Sequence, residues 1–194
     1  MSRLDLVVGP NGAGKSTFIR KVIVPAWPAA KLVNADEIAA HKWPRDPMGH
    51  AYEAAAIAAA TRDRLIHDGV PLIAETVFSH PSKLELIVRA KAAGYFVSMQ
   101  VLMVPEELAV WRVAYRVRSG GHDVPVDKIR QRHRRLWSNV AAATAMVDQA
   151  MFWDNSEHDG PRAVAVFSDG FPAGAINWPV WASRELIGLT PAWE

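Results

Sequence analysis

An α/β fold, a mainly parallel sheet covered by helices on both faces, is what this 194-residue sequence predicts, and two observations predict it. The first is a complete phosphate-binding loop in its required setting. Gly9-Pro-Asn-Gly-Ala-Gly14-Lys15-Ser16-Thr17 fits G-x-x-x-x-G-K-[ST], follows the apolar run Leu4–Val8 and precedes the amphipathic stretch Thr17–Ile23. Strand, glycine loop and helix form the context that gives the motif physical meaning. The second is the alternation that continues along the chain, short apolar runs followed by longer helical ones, as parallel strands joined by crossover helices require.

The elements follow in order. After the loop helix, Pro25-Ala-Trp-Pro28 breaks the chain, and Lys31–Asn34 reads as a short second strand ending at Ala35-Asp36. Asp46 before Pro47 has the pattern of a cap and first-turn proline, which predicts a helix running through the seven alanines between Ala51 and Ala60 and stopping at Gly69. Pro71–Ala74 is a third strand leading into Glu75-Thr76. Ser82-Lys-Leu-Glu85 has the form of a capping box, opening a helix that Gly94 closes. The almost wholly apolar run Tyr95–Val104 suits a central strand covered on both faces. A helix over Glu106–Arg118, a break over Ser119–Pro125, a helix over Asp127–Asp148, and strands at Met151–Trp153 and Ala163–Phe167 complete the pattern. Ligands of such sheets gather at the carboxyl ends of the strands, and Gly9, Asp36 and Glu75 lie just past three of them.

Composition narrows the function classes. One domain over residues 1–194 is the expectation for this length, with half of the residues apolar and 22% charged. Without cysteine there are no disulfides and no thiolate metal sites. The first strand begins almost at the first residue, which leaves no room for a signal core, and no run of apolar residues is long enough to span a bilayer. These point to a cytoplasmic protein. The net charge of +2 argues against a nucleic-acid partner, yet eight basic and two acidic residues fall between Arg112 and Arg135. The eight tryptophans are scattered and read mostly as packing anchors.

The loop predicts the nucleotide chemistry. Gly9, Gly12 and Gly14 let successive backbone N–H groups converge on one anion, with Asn11, Ala13 and Thr17 completing the nucleotide-binding segment. Lys15 is placed for the β- and γ-phosphates of ATP and the Ser16 hydroxyl for Mg²⁺. No N-K-x-D tetrapeptide is present, which counts against a guanine-specific switch. A phosphotransferase needs a carboxylate for the acceptor hydroxyl and cations over the transferred group. Asp36 and Glu75 are the carboxylate candidates; Asp36 could equally cap a short helix, and Glu75 could pair with an arginine or with the metal's water shell. By helical angle, Ile129, His133, Leu136 and Val140 form a buried stripe. Lys128, Arg132 and Arg135 border it on the side that can reach a cleft, while Arg130 and Arg134 point elsewhere. Arg112 and Arg116 stack one turn apart on the preceding helix. The glycines at 120 and 121 separate the two arginine groups as a hinge would, making residues 116–135 a helical lid that can deliver charge to the phosphoryl group. A basic track for RNA or DNA phosphates is the competing reading. Thr76, His122 and Arg135 join Asp36 and Glu75 as candidate substrate contacts. Asp154-Asn155-Ser156, after a strand, is either a contact to the nucleotide base or a turn.

Taken together, these segments resemble the zeta toxin family of P-loop kinases. The resemblance rests on the loop, on Val33-Asn-Ala-Asp36-Glu-Ile-Ala, on Glu75-Thr-Val-Phe-Ser-His-Pro-Ser-Lys83, on Arg116-Val-x-x-Gly-Gly-His-Asp-Val-Pro125-x-x-Lys128-Ile-x-x-Arg132, and on Asp154-Asn-Ser156. It runs from residue 3 to about residue 170 and leaves the tail, 171–194, without a functional account. It implies a nucleotide-kinase-like, three-layer P-loop NTPase fold, with MgATP as phosphate donor. The implied acceptor is a sugar hydroxyl, in the family's toxins the 3′-hydroxyl of UDP-N-acetylglucosamine, and the implied partner is a small antitoxin that blocks the nucleotide site. By position, Asp36 corresponds to the general base, Lys15 to the phosphate lysine, and Arg116 and Arg132 to the charge-stabilising arginines. The chain is shorter than the best-known toxins, which leaves room for another sugar or small molecule as acceptor. Two other readings stand beside this one: a nucleic-acid-directed kinase or ATPase, and an ATP-binding regulatory module without transfer.

Overall fold

Seven strands form one sheet in the computed structural model, which describes residues 2–118 and 124–190. They are β1 (Arg3–Val8), β2 (Lys31–Val33), β3 (Leu72–Thr76), β4 (Phe96–Met103), β5 (Gln149–Asp154), β6 (Arg162–Ser168) and β7 (Phe171–Pro172), in the order β2-β3-β1-β4-β5-β6-β7. β2 through β5 run parallel, and only β6 and β7 are antiparallel. Register brings the functional strand ends side by side, with Val8 opposite Thr76 and Val33 opposite Ala74.

The period-2 alternation of the central strands divides the interior into two layers. Leu4, Leu6 and Val8 of β1 and Val97, Met99, Val101 and Met103 of β4 face one core, with Leu136 and Val140. Val7, Ile73 and Leu102 face the other, with Phe18, Val113 and Ile129. Both sheet faces are thus covered. Truncating a fully buried residue such as Leu6 to alanine costs about 2–5 kcal/mol at sites of this kind. The tail is part of the packing: Trp178 stands edge-on to Phe152 at 5.0 Å, and Trp181 and Leu186 lie on the same core. Trp137 is buried as an anchor, while Trp111 and Trp27 are more than two-fifths exposed; Trp193 lies outside the described residues.

The helices are α1 (Lys15–Phe18), continued by a π turn over Ile19–Ile23 and by α2 (Val24–Ala26), then α3 (Ala35–Lys42), α4 (Ala51–His67), α5 (Leu84–Ala92), α6 (Glu106–Arg118), α7 (Val126–Thr144) and α8 (Arg184–Ile187). The wide turn comes just before Pro25, whose ring would meet the carbonyl four residues back in a regular helix. Three boundaries differ from the sequence expectation. Asp46 does not start α4; its carboxylate accepts the Gly49 N–H in a local turn, and the helix begins at Ala51. Ser82 is not a cap, because His80 Nδ1 accepts the Ser82 N–H at the head of a 3₁₀ turn over Pro81–Lys83 that leads into α5. α7 ends at Thr144, since Asp148 turns its carboxylate to the Val97 N–H and to Lys91 at the foot of β4. No helix among the described residues is long and apolar enough to cross a membrane.

Candidate active site

The phosphate loop fills the gap between the end of β1 and the start of α1, and its glycines are there for steric reasons. Gly9 has φ +149°, and a Cβ on it would stand 2.3 Å from the Leu102 carbonyl of β4. Gly14 has φ +88°, and a Cβ there would meet Asn155 Nδ2 at 2.6 Å. The loop is therefore clamped between a neighbouring strand and the Asp154-Asn155-Ser156 turn. Asn155 Nδ2 donates to the Ala13 carbonyl over 2.8 Å, and Arg112 donates to the Asn155 carbonyl over 2.8 Å. In this structure Asn155 holds the phosphate loop from behind, in addition to the turn that Asp154 closes with the Ser156 N–H.

In front of the loop lies a cleft of about 590 Å³ lined by Gly12, Gly14, Lys15, Ser16, Thr17, Asn34, Asp36, Glu75, Thr76, Arg116 and Arg132, among others. Lys15 is buried, with Nζ donating to the Gly9 and Pro10 carbonyls at 3.0 Å each. Burial pushes its ammonium below the ordinary lysine value; Glu75 and Asp36 pull it up, and Arg116 and Arg132 push it further down. Four charged side chains from four parts of the chain thus act on one ammonium. Such convergence of cations and carboxylates in a cleft marks a place for charged chemistry.

The carboxylates are fixed by a side chain that the motif reading passed over. Ser16 Oγ lies 3.0 Å from Glu75 Oε1 and 3.1 Å from Oε2, and Asn34 Nδ2 donates to Glu75 Oε2 over 2.8 Å. Asn34 Oδ1 accepts the Asp36 N–H over 2.8 Å, so Asn34 and not Asp36 caps α3. This leaves the exposed Asp36 carboxylate, in the first turn of α3, on the wall of the cleft. A hydroxyl and a carboxylate oxygen adjacent to a phosphate lysine are hard donors of the kind Mg²⁺ takes, so Ser16 and Glu75 fit that ion.

Of the α7 cations, only Arg132 lines the cleft. Arg135, three positions after Arg132 on α7, is exposed and is not among the residues that line the cleft, contrary to the expectation that it contacts substrate. Arg130 and Arg134 point away from the cleft as expected, but to partners and not to bare solvent. Arg130 binds Glu106 and Glu107, and Arg134 lies 3.2 Å from Glu106. His133 is buried in the stripe, its Nε2 2.9 Å from the Val104 carbonyl. Gly9 and Ala13 stand behind the cleft and shape the loop. His122 and the glycines at 120 and 121 lie outside the described residues. Lys83, Arg20 and Arg112 also line the cleft; Lys83 sits within one of the matching segments, Arg112 stacks one turn before Arg116, and Arg20 carries no spacing signal.

A family model described as Zeta toxin matches residues 3–158. No protein of curated function matches the chain in sequence. Among solved structures, the PezAT chromosomal toxin–antitoxin system of the human pathogen Streptococcus pneumoniae is similar with a TM-score of 0.65 at 15% identity, over 86% of this chain and 71% of that one. The AvrRxo1-ORF1:ORF2 complex with ATP is similar with a TM-score of 0.69 at 17% identity, over 89% of this chain but 60% of that one. A chain of the Pnkp1/Rnl/Hen1 RNA repair complex gives a TM-score of 0.60 at 22% identity, over 73% of this chain and 46% of that one. This chain therefore spans less than two-thirds of the length of the last two. At such identities the likeness is one of fold: a P-loop, kinase-like three-layer sandwich.

Proposed function

The chain belongs to the zeta toxin family, and we propose that it is an ATP-dependent kinase transferring the γ-phosphoryl group to a hydroxyl of a small molecule, with a nucleotide sugar such as UDP-N-acetylglucosamine as the leading acceptor. The observation that carries the reading is the meeting of Lys15, Asp36, Glu75, Arg116 and Arg132 around one cleft. Each has a part in an in-line transfer. Asp36 accepts the proton of the acceptor hydroxyl as its oxygen bonds to phosphorus. Lys15, Arg116 and Arg132 hold the charge on the phosphoryl oxygens while the bond to the β-phosphate oxygen breaks and ADP leaves. Ser16 and Glu75 would hold Mg²⁺, which would supply charge neutralisation for the phosphates of the nucleotide. Arg116 and Arg132 belong to the segment 116–135, whose role in this scheme is that of a closing lid.

The solved ATP complex of a similar fold and the toxin–antitoxin origin of another support a nucleotide donor and an antitoxin partner. A nucleic-acid track is less well supported, because Arg112, Arg130 and Arg134 are engaged within the protein. The test is incubation with MgATP and a panel of nucleotide sugars, sugar phosphates and free sugars, followed by mass spectrometry of the acceptors. A gain of about 80 Da, one phosphoryl group, on a panel member supports the reading. ADP release with no phosphorylated sugar would overturn the sugar acceptor and favour another substrate or an ATPase.

A further inference from the structure

α4 turns a stripe of small residues toward the end of β3. Ala55, Ala58, Ala59 and Arg62 recur at i, i+3, i+4 and i+7, and all four line a second chamber of about 210 Å³. Methyl groups leave open the space that leucines on the same face would fill. Glu75, Thr76, Phe78 and Lys83 line both this chamber and the phosphate cleft, so the two spaces adjoin. Phe78, a wall of both, is held in the left-handed region at φ +64° by Asn139 of α7, which donates to its carbonyl over 3.0 Å. A bulky residue in that conformation is held there by its surroundings, so this wall is a built feature.

Three cations line the chamber, and one of them, Arg89, is paired with Asp63 and Glu85. Arg62 and Lys83 are half-buried, and among the described residues neither makes an ion pair or a side-chain hydrogen bond. The nearby carboxylates are taken: Asp63 lies 3.0 Å from Arg89, Glu85 3.6 Å from Arg89, and Glu75 is held by Ser16 and Asn34. Burial lowers the pKa of Lys83, and the charge of Arg62 lowers it further; burial also lowers that of Arg62. Two like charges sharing a partly dry chamber are unfavourable until an anion joins them.

We propose that Arg62 and Lys83 form an anion-binding subsite for a phosphate group of the acceptor, holding it in the side chamber while the reacting hydroxyl faces Asp36. This rests on the kinase reading above and narrows it to phosphate-bearing acceptors. A guanidinium and an ammonium arriving from separate helices suit a group with several charged oxygens better than a single carboxylate. The chamber is smaller than the roughly 300 Å³ at which drug-sized pockets begin, which suits one phosphate and the edge of a sugar. The phosphate is either the diphosphate of a nucleotide sugar or the single phosphate of a sugar phosphate.

Arg62→Gln and Lys83→Met keep the apolar stems and remove the charges. For wild type, each variant and the pair, transfer is measured to UDP-N-acetylglucosamine, to N-acetylglucosamine 1-phosphate and to neutral N-acetylglucosamine. Binding of the same three to protein loaded with a non-hydrolysable ATP analogue is measured by calorimetry. The wild type prefers a phosphate-bearing member, and the ratio of charged to neutral kcat/KM, or of binding constants, falls at least about tenfold in the double variant, as loss of charge-assisted bonds predicts. The two charged probes separate the diphosphate from the single phosphate. A ratio that stays at the wild-type value in the double variant, or a loaded wild type that binds neither charged probe, overturns the subsite. Binding that depends on the pair with no transfer to any probe would keep the subsite and sink the kinase reading, and transfer indifferent to the pair would do the reverse.

Discussion

Asn34 donates from its side-chain amide to Glu75 Oε2 over 2.8 Å, and the same amide's oxygen caps the helix that carries Asp36. One side chain thereby aligns the carboxylate assigned to Mg²⁺ with the carboxylate assigned to the acceptor. Asn34→Ala removes both functions, and loss of such a supporting bond typically costs 10–100-fold in metal affinity or activity. Asn34→Asp separates them. Aspartate still caps α3 and preserves the fold, but it presents an acceptor and a charge where Glu75 needs a donor. The expected result is a melting temperature close to wild type for Asn34→Asp, with a higher Mg²⁺ requirement and slower turnover. Wild-type Mg²⁺ dependence in Asn34→Asp would show that the bond does not align Glu75.

Asp36 is exposed and makes no side-chain hydrogen bond among the described residues, so its removal is structurally mild. Asp36→Asn is expected to lower kcat by about 10²–10⁴, the usual share of a general base, with ATP affinity close to wild type. Arg132→Ala should also act chiefly on kcat, because its charge is needed most when the phosphoryl group is between oxygens. Single-turnover transfer together with equilibrium binding of a fluorescent ATP analogue measures the two effects separately. Full turnover in Asp36→Asn would remove it from the role of base.

Much of this arrangement is legible in the sequence because it is local. The loop and the stripe Ile129–His133–Leu136–Val140 follow from spacing alone, and Gly9 directly follows β1 as expected; Asp36, expected just past β2, lies in the first turn of α3, and Glu75, expected just past β3, is its penultimate residue. What spacing does not carry is pairing between distant segments. Asn34 lies within a quoted motif, yet its bond to Glu75 crosses between strands that meet only through the 2-3-1 order. Arg112 and Arg116 share a helix face in the sequence reading, but Arg112 turns to the Asn155 carbonyl, 43 positions away. Arg130 and Arg134 find Glu106 and Glu107 across an interhelix contact that no window contains. The Asp46 misassignment has a different origin, since an aspartate three residues before a glycine accepts that glycine's N–H in a local turn as readily as it caps a helix end.

Lys15 makes the opposite contribution to stability from that of a lysine in an ion pair. Burial and the neighbouring arginines lower its pKa in the folded state, despite the pull of Glu75 and Asp36. Between the lowered folded value and the ordinary lysine value the unfolded chain binds more protons than the folded one, so stability rises with pH across that interval and is level on either side of it. Lys15→Met is therefore expected to stabilise the nucleotide-free protein at pH 7, by about 1 kcal/mol or roughly 2–4 °C, and to erase the rise in melting temperature that MgATP gives the wild type. The advantage should shrink as pH is raised and wild-type Lys15 sheds its proton. Thermal melts across pH, with and without MgATP, check all three points. A melting temperature below wild type at pH 7 would mean that the bonds to the Gly9 and Pro10 carbonyls outweigh the burial of charge.

The contact between Gly14 and Asn155 separates steric clash from backbone strain at the phosphate loop. Gly14→Ala places a Cβ 2.6 Å from Asn155 Nδ2 at a φ of +88°. The left-handed conformation alone costs an L-residue about 1–2 kcal/mol, and the clash adds displacement of the Asn155 amide that holds Ala13. Asn155→Ala loses that hydrogen bond, at about 1 kcal/mol, but keeps its own carbonyl on Arg112. In the double variant the clash is gone and the strain remains. Gly14→Ala should thus cost less stability in the Asn155→Ala background than in wild type, a coupling of the size that touching residues show, about 0.5–3 kcal/mol. Denaturant melts of the four proteins give the stability cycle, and titration with MgATP gives the same cycle for nucleotide affinity. Because the loop's N–H groups must converge on one anion, affinity should fall in both Gly14→Ala proteins. Additive stability losses would show that Asn155 yields to the new methyl at no cost and does not clamp the loop.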